Sequence, residues 1–193
     1  TGKDVAEASD FEAPTGDLGS RFVFTDTRGF DGYEKQFISD GSSSSVLKGG
    51  TMSPEAVVAY DGNGKRVLVG FYCADDADDC SISEYGRALG YLTEGGTIHE
   101  VLPASKVDDL QLRFHGASNG VLYVETTSES LTIGLDGTQI GNANEFPYYP
   151  VSEISNGDEI WTLWKTDSGF MSNGEDYAIT QGGAQPQAEH LNG

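Results

Sequence analysis

The segment from Glu55 to Tyr72 constrains the fold more than any other. Glu55-Ala-Val-Val-Ala-Tyr60 and Arg66-Val-Leu-Val-Gly-Phe-Tyr72 are rich in β-branched and aromatic residues. Between them lies Asp61-Gly-Asn-Gly-Lys65, whose residue types accept positive φ. Two such runs around such a turn predict a β-hairpin. Ser53-Pro54-Glu55 offers a competing start, a helix N-cap with proline in the first turn. The adjacent Val57 and Val58 favour a strand, because branching at Cβ restricts χ1 in a helix.

The rest of the chain repeats that pattern. Leu89–Thr93 and Thr97–Leu102 flank Glu94-Gly95-Gly96 and predict a second hairpin. Arg21–Thr25, Tyr33–Ser39, Leu110–Phe114, Val121–Glu125, Leu131–Leu135, Glu159–Lys165 and Tyr177–Thr180 read as further short strands, with Ser42–Ser45 as a loop. The prediction is an all-β chain, a single-domain, jelly-roll-like β-sandwich of about ten short antiparallel strands with little helix. Residues 1–19 read as an extended N-terminal segment, 20–180 as the sandwich, and 181–193 as a polar C-terminal tail. The 26 glycines suit many tight turns, and nine Tyr, nine Phe and two Trp can fill a core.

Charge excludes some partners. With 31 acids against 11 bases, net charge is −20 and no basic stripe occurs. Nucleic acid, which demands clustered Lys and Arg, is not an expected partner. Neither is an anionic membrane surface, and no apolar run is long enough for membrane insertion as a helix. The polar start at Thr1 reads as that of a processed, secreted chain.

Cys73 and Cys80 are the only cysteines. Their spacing predicts a disulfide, which fits an extracellular setting, whether secreted or at a cell surface. Between them lie Asp75, Asp76, Asp78 and Asp79. Oxygen-rich loops of this kind suit calcium, the one cofactor expected, although the same acids also suit a solvated tip. Asp61-Gly62-Asn63-Gly64-Lys65 only superficially resembles a calcium loop, because Lys65 stands where an oxygen ligand belongs.

No catalytic constellation is present. His99, His115 and His190 match no metal spacing, and no nucleophile elbow or phosphate loop occurs. Glu100 and Glu125 sit on predicted strands, where a hydrolase cleft would need carboxylates, but so do solvated acids. The aromatic candidates for a ligand or an interface are Trp161, Trp164, Tyr148 and Tyr149. Trp161 and Trp164 are three apart on a strand, so they point to opposite faces: one to the core, the other to a surface.

The expectation is a non-catalytic extracellular assembly subunit, of cell-surface or filament type, that self-associates. Its donor would be the N-terminal segment, where Val5, Ala6, Ala8 and Phe11 offer apolar anchors for packing on a neighbour's sheet edge. The alternatives are a secreted carbohydrate-binding or adhesion module and a jelly-roll polysaccharide hydrolase or lyase.

Overall fold

A computed structural model describes residues 16–26, 35–75, 87–143, 148–156, 158–166 and 177–186. Among them are sixteen strands and one short helix, so the all-β class holds. The strands form four antiparallel sheets in chain order. The first contains β1 (Gly16–Asp17), β2 (Phe22–Asp26), β3 (Lys35–Ser39) and β4 (Ser44–Val46). The second contains β5 (Thr51–Met52), β7 (Arg66–Cys73), β8 (Ala88–Leu92) and β9 (Ile98–Leu102), with β6 (Val57–Tyr60) also pairing β7. The third contains β10 (Arg113–Ser118), β11 (Val121–Glu125), β12 (Ser130–Gly134) and β13 (Gln139–Ala143). The fourth contains β14 (Tyr148–Asn156), β15 (Glu159–Thr166) and β16 (Tyr177–Gln181). Neighbours within each sheet are mostly consecutive in sequence. The long return connections of a jelly roll are not among the described strands.

Both predicted hairpins form, each for the reason read from its turn. Asp61 caps the first by accepting the Asn63 and Lys65 N–H groups on Oδ1 at 2.8 Å, and Gly64 takes φ 75°. The proline-led start before β6 is a turn, closed by Ala56 N–H donating to the Ser53 carbonyl, and no helix follows. The helix α1 (Ala104–Leu110) was not expected; it buries Val107 and stops at Gln111, which takes a left-handed φ of 46°. The serine run is a loop only in part. Asp40 Oδ1 accepts the N–H groups of Ser42 and Ser43, and β4 begins at Ser44.

The chain divides into two compact units, residues 1–58 with 66–109, and 59–65 with 110–193. In the first unit, Val23 and Ile38 from the β1–β4 sheet pack with Met52, Leu68, Tyr72 and Leu92 from the second sheet. Gln36 ties those sheets together, donating from Nε2 to the Met52 carbonyl (2.9 Å) and accepting the Met52 N–H (2.7 Å). In the second unit, Tyr123 packs with Tyr148, Tyr149 and Trp164. There β10 and β14 approach so closely that a Cβ on Gly116 would lie 1.8 Å from the Pro150 carbonyl oxygen.

Candidate interaction surface

Register decides what β14–β16 shows to its surroundings. Ser152, Leu163 and Ile179 form one cross-strand row, Ile154, Trp161 and Gln181 a second, and Tyr149, Lys165 and Tyr177 a third. Side chains alternate between faces along a strand. The opposite face carries Glu153, Thr162 and Trp164, all buried. Ile154 and Ile179 are consequently left 62% and 66% exposed, and Tyr177 50%. Trp161 and Leu163 between them are half-buried. The bulge at Val151 adds another exposed aliphatic group. Lys165 is the only charged residue in the three rows, and a fourth row on the same face pairs Asn156 with the exposed Glu159. β16 ends the described sheet and reads Tyr-Ala-Ile-Thr-Gln, a strand with no charge.

The β1–β4 sheet has a comparable outer face. Phe24, Phe37 and Val46 form one row, and Phe22 stands in the next, beside Asp17. The Phe24 and Phe37 rings stack with centroids 5.6 Å apart, and Phe22 lies 5.9 Å from Phe24. Val46 is 50% exposed and Phe22 38%. Sequence reasoning missed this face. Its signal was Phe22-Val23-Phe24, apolar on both sides of a strand where a sheet with one wet face should alternate.

The two tryptophans separate as their spacing requires. Trp161 lies on the outer face; Trp164 is fully buried, donating from Nε1 to Thr180 Oγ1 at 2.7 Å and meeting Tyr123 edge-on. Tyr148 and Tyr149 are buried as well. Of the four aromatic candidates for a ligand or an interface, Trp164, Tyr148 and Tyr149 are thus not at the surface, and the core place expected of one tryptophan falls to Trp164. In β14 and β15 they fill the core, because burying a large aromatic side chain releases more water than any other choice there.

Several titratable groups among the described residues are already engaged. Glu153 is buried yet fully served: it accepts the Tyr60 N–H (2.7 Å), the Asn119 N–H (3.2 Å) and the hydroxyls of Ser118 (2.7 Å) and Thr162 (3.0 Å). Such a carboxylate is a brace. It satisfies backbone donors that would otherwise be buried unpaired. Burial, followed by the Glu153 charge, pushes the Tyr123 hydroxyl up to about 12. His115 stacks on Tyr149, with centroids 3.9 Å apart, and its Nε2 lies 3.0 Å from Glu125 Oε2. Glu100 Oε2 accepts the Tyr72 hydroxyl at 3.2 Å, and His99 stacks on Tyr91.

Of the calcium candidates, Asp75 accepts the Gly49 N–H at 3.1 Å, whereas Asp76, Asp78 and Asp79 lie outside the described residues. Among the described residues no group of three His, Cys, Asp or Glu side chains could hold a metal. Cys73 ends β7, and Cys80 lies outside the described residues, as do Val5, Ala6, Ala8 and Phe11. No helix among the described residues is long and apolar enough to cross a membrane. No protein-family model matches the chain, and no curated protein does.

Proposed function

We propose that this chain is a non-catalytic subunit of an extracellular assembly and self-associates through the outer face of β14–β16. One observation carries the reading: Ile154, Trp161, Leu163, Tyr177 and Ile179 lie together on that face, with charged residues, Glu159 and Lys165, only in its two end rows, in a chain of net charge −20. Copies of so acidic a chain repel one another through most of their surface. A face with one carboxylate, in its end row, is where that repulsion is weak and where apolar area can leave water at about 25 cal/mol per Å². The uncharged strand β16 adds backbone donors and acceptors at the sheet's margin, where another strand could pair.

The test is light scattering of the full chain over a range of concentration and salt. Self-association should strengthen with salt, because screening removes repulsion and leaves apolar contact intact. Ile154→Glu with Ile179→Glu should return the protein to monomer while circular dichroism stays unchanged. A chain that stays monomeric at high concentration in every salt overturns the reading. A second reading, a carbohydrate-binding module, draws on Trp161, the one tryptophan on the outer face. It predicts that a glycan shifts Trp161 fluorescence in a chain that does not associate.

A further inference from the structure

The β6–β7 hairpin is divided between the two units. Val57, Val58 and Arg66–Cys73 belong to the first, whereas the tip, Ala59–Lys65, belongs to the second. The pleat explains why the tip can serve other elements. Asp61 N–H donates to the Lys65 carbonyl at 2.8 Å and closes the hairpin. Tyr60, the residue before it, therefore points its own N–H and carbonyl away from β7. Its N–H reaches Glu153 Oε2 in β14 at 2.7 Å, and its carbonyl accepts the Gly120 N–H at the β10–β11 turn, also at 2.7 Å. Tyr60 and Glu153 are both buried, so losing either bond leaves a polar group without water to replace its partner.

Three further features tighten this grip. Gly120 takes φ 75°, and a Cβ there would stand 3.0 Å from the Gly62 N, so only glycine lets the β10–β11 turn lie this close to the tip. Glu153 holds the rest of the unit with the same carboxylate, accepting the Asn119 N–H and the hydroxyls of Ser118 in β10 and Thr162 in β15. Asp61 Oδ1 stiffens the tip from within by accepting two of its N–H groups.

We infer that the hairpin tip is a latch through which the two units unfold as one cooperative body. Each unit has its own hydrophobic cluster, and units with separate cores ordinarily open separately. Here the first unit cannot unzip β6 from β7 along its whole length without withdrawing Tyr60. That withdrawal strands the Gly120 N–H and takes a donor from a buried carboxylate. The second unit cannot open at β14 without releasing the tip on which the end of β6 is ordered. The device lies in Tyr60, Gly120 and Glu153 and is independent of the assembly reading above.

The experiment is urea unfolding of the full chain, dilute enough to exclude association, followed by one reporter for each unit. Trp161 and Trp164 are the only tryptophans and both lie in the second unit, so their emission reports it alone. Amide hydrogen exchange in β3 and β8, read by mass spectrometry, reports the first. In the unaltered chain the two reporters should share one midpoint. In Glu153→Ala and in Gly120→Ala they should separate, the tryptophan midpoint moving to lower urea. Thr162→Val removes a donor to Glu153 without touching the tip; both midpoints should fall and stay together. If Glu153→Ala does not fold, Gly120→Ala decides by the same readout. Two midpoints in the unaltered chain overturn the inference, and so does a single shared midpoint in the latch variants, which would leave Glu153 a brace of its own unit only. Separation in Thr162→Val overturns it as well, because any weakening of the second unit would then act as the latch variants do.

Discussion

Strands β7 and β15 are both eight residues long, yet they are buried in opposite styles. In β7, Val67, Leu68, Val69 and Gly70 are buried without interruption. In β15, buried Thr162 and Trp164 alternate with the half-buried Trp161, Leu163 and Lys165. A continuous run means both faces of a sheet are covered; alternation means only one is. The outer face of β15 reads Glu159, Trp161, Leu163 and Lys165, charged at its ends and apolar at its centre. A strand with one open face ordinarily carries polar residues there, so Trp161 and Leu163 at the centre of that face are the departure. Those two residues, beside exposed Ile154 and Ile179, are what the proposed interface rests on, whereas Val67–Gly70 of β7 are already buried.

The largest expected effect separates the two faces of β15. Trp164→Ala should destabilise the chain by about 3–5 kcal/mol, because a large buried ring leaves a cavity and Thr180 loses its donor. Trp161→Ala should cost below about 1 kcal/mol in the monomer and act on association instead. Chemical denaturation of both variants at low concentration measures the contrast. Equal losses would mean the outer face is core after all.

Next comes the brace on the neighbouring strand. Glu153→Ala should cost about 3 kcal/mol, since the Tyr60 and Asn119 N–H groups would be left buried without an acceptor. Glu153→Gln should recover part of this, retaining one acceptor oxygen. Urea midpoints for the pair provide the check, and a Glu153→Ala variant as stable as the original would deny the brace.

Close backbone approach is the third point of difference. A Cβ at Gly70 in β7 would stand 2.9 Å from Ala56, and one at Gly116 would meet the Pro150 carbonyl. Alanine at either should cost about 1–3 kcal/mol by overpacking. Gly62, where an added Cβ would meet nothing within 4 Å, is the control and should tolerate alanine within about 0.5 kcal/mol. Thermal unfolding of the three variants orders them.

The smallest effect is one of pH. Burial raises the Tyr123 hydroxyl to about 12, against an ordinary value of 10.0. A group whose folded value is raised contributes stability below its unfolded value and loses it as pH climbs through the folded one. Stability should therefore fall between pH 10.0 and about 12, and tyrosinate absorbance should show one late-ionising tyrosine that is missing in Tyr123→Phe.

The strands that were legible were those with local causes. Asp61 and Gly64 specify their turn through side-chain capping and a positive φ, so the β6–β7 hairpin could be read directly. Strands β13 and β14 were missed. Tyr148-Tyr149-Pro150-Val151 does not alternate, and the bulge at Val151 changes which face follows. Glu153 was one of 31 acids, and nothing in its neighbours announces Tyr60 as its partner, 93 residues away.

The sequence by itself determined the all-β class, the two hairpins and the opposite orientation of Trp161 and Trp164, because turn chemistry and the two-residue period of a strand act over a few residues. Only the tertiary structure decided which apolar faces are covered. Phe22 and Val23 are equally hydrophobic neighbours, and so are Leu163 and Trp164. What buries Val23 and Trp164 is a second sheet contributed by residues far along the chain, and what leaves Phe22 and Ile179 in water is that no described sheet lies over them. Burial is a property of pairs of surfaces, and a strand's own residues specify only one member of the pair.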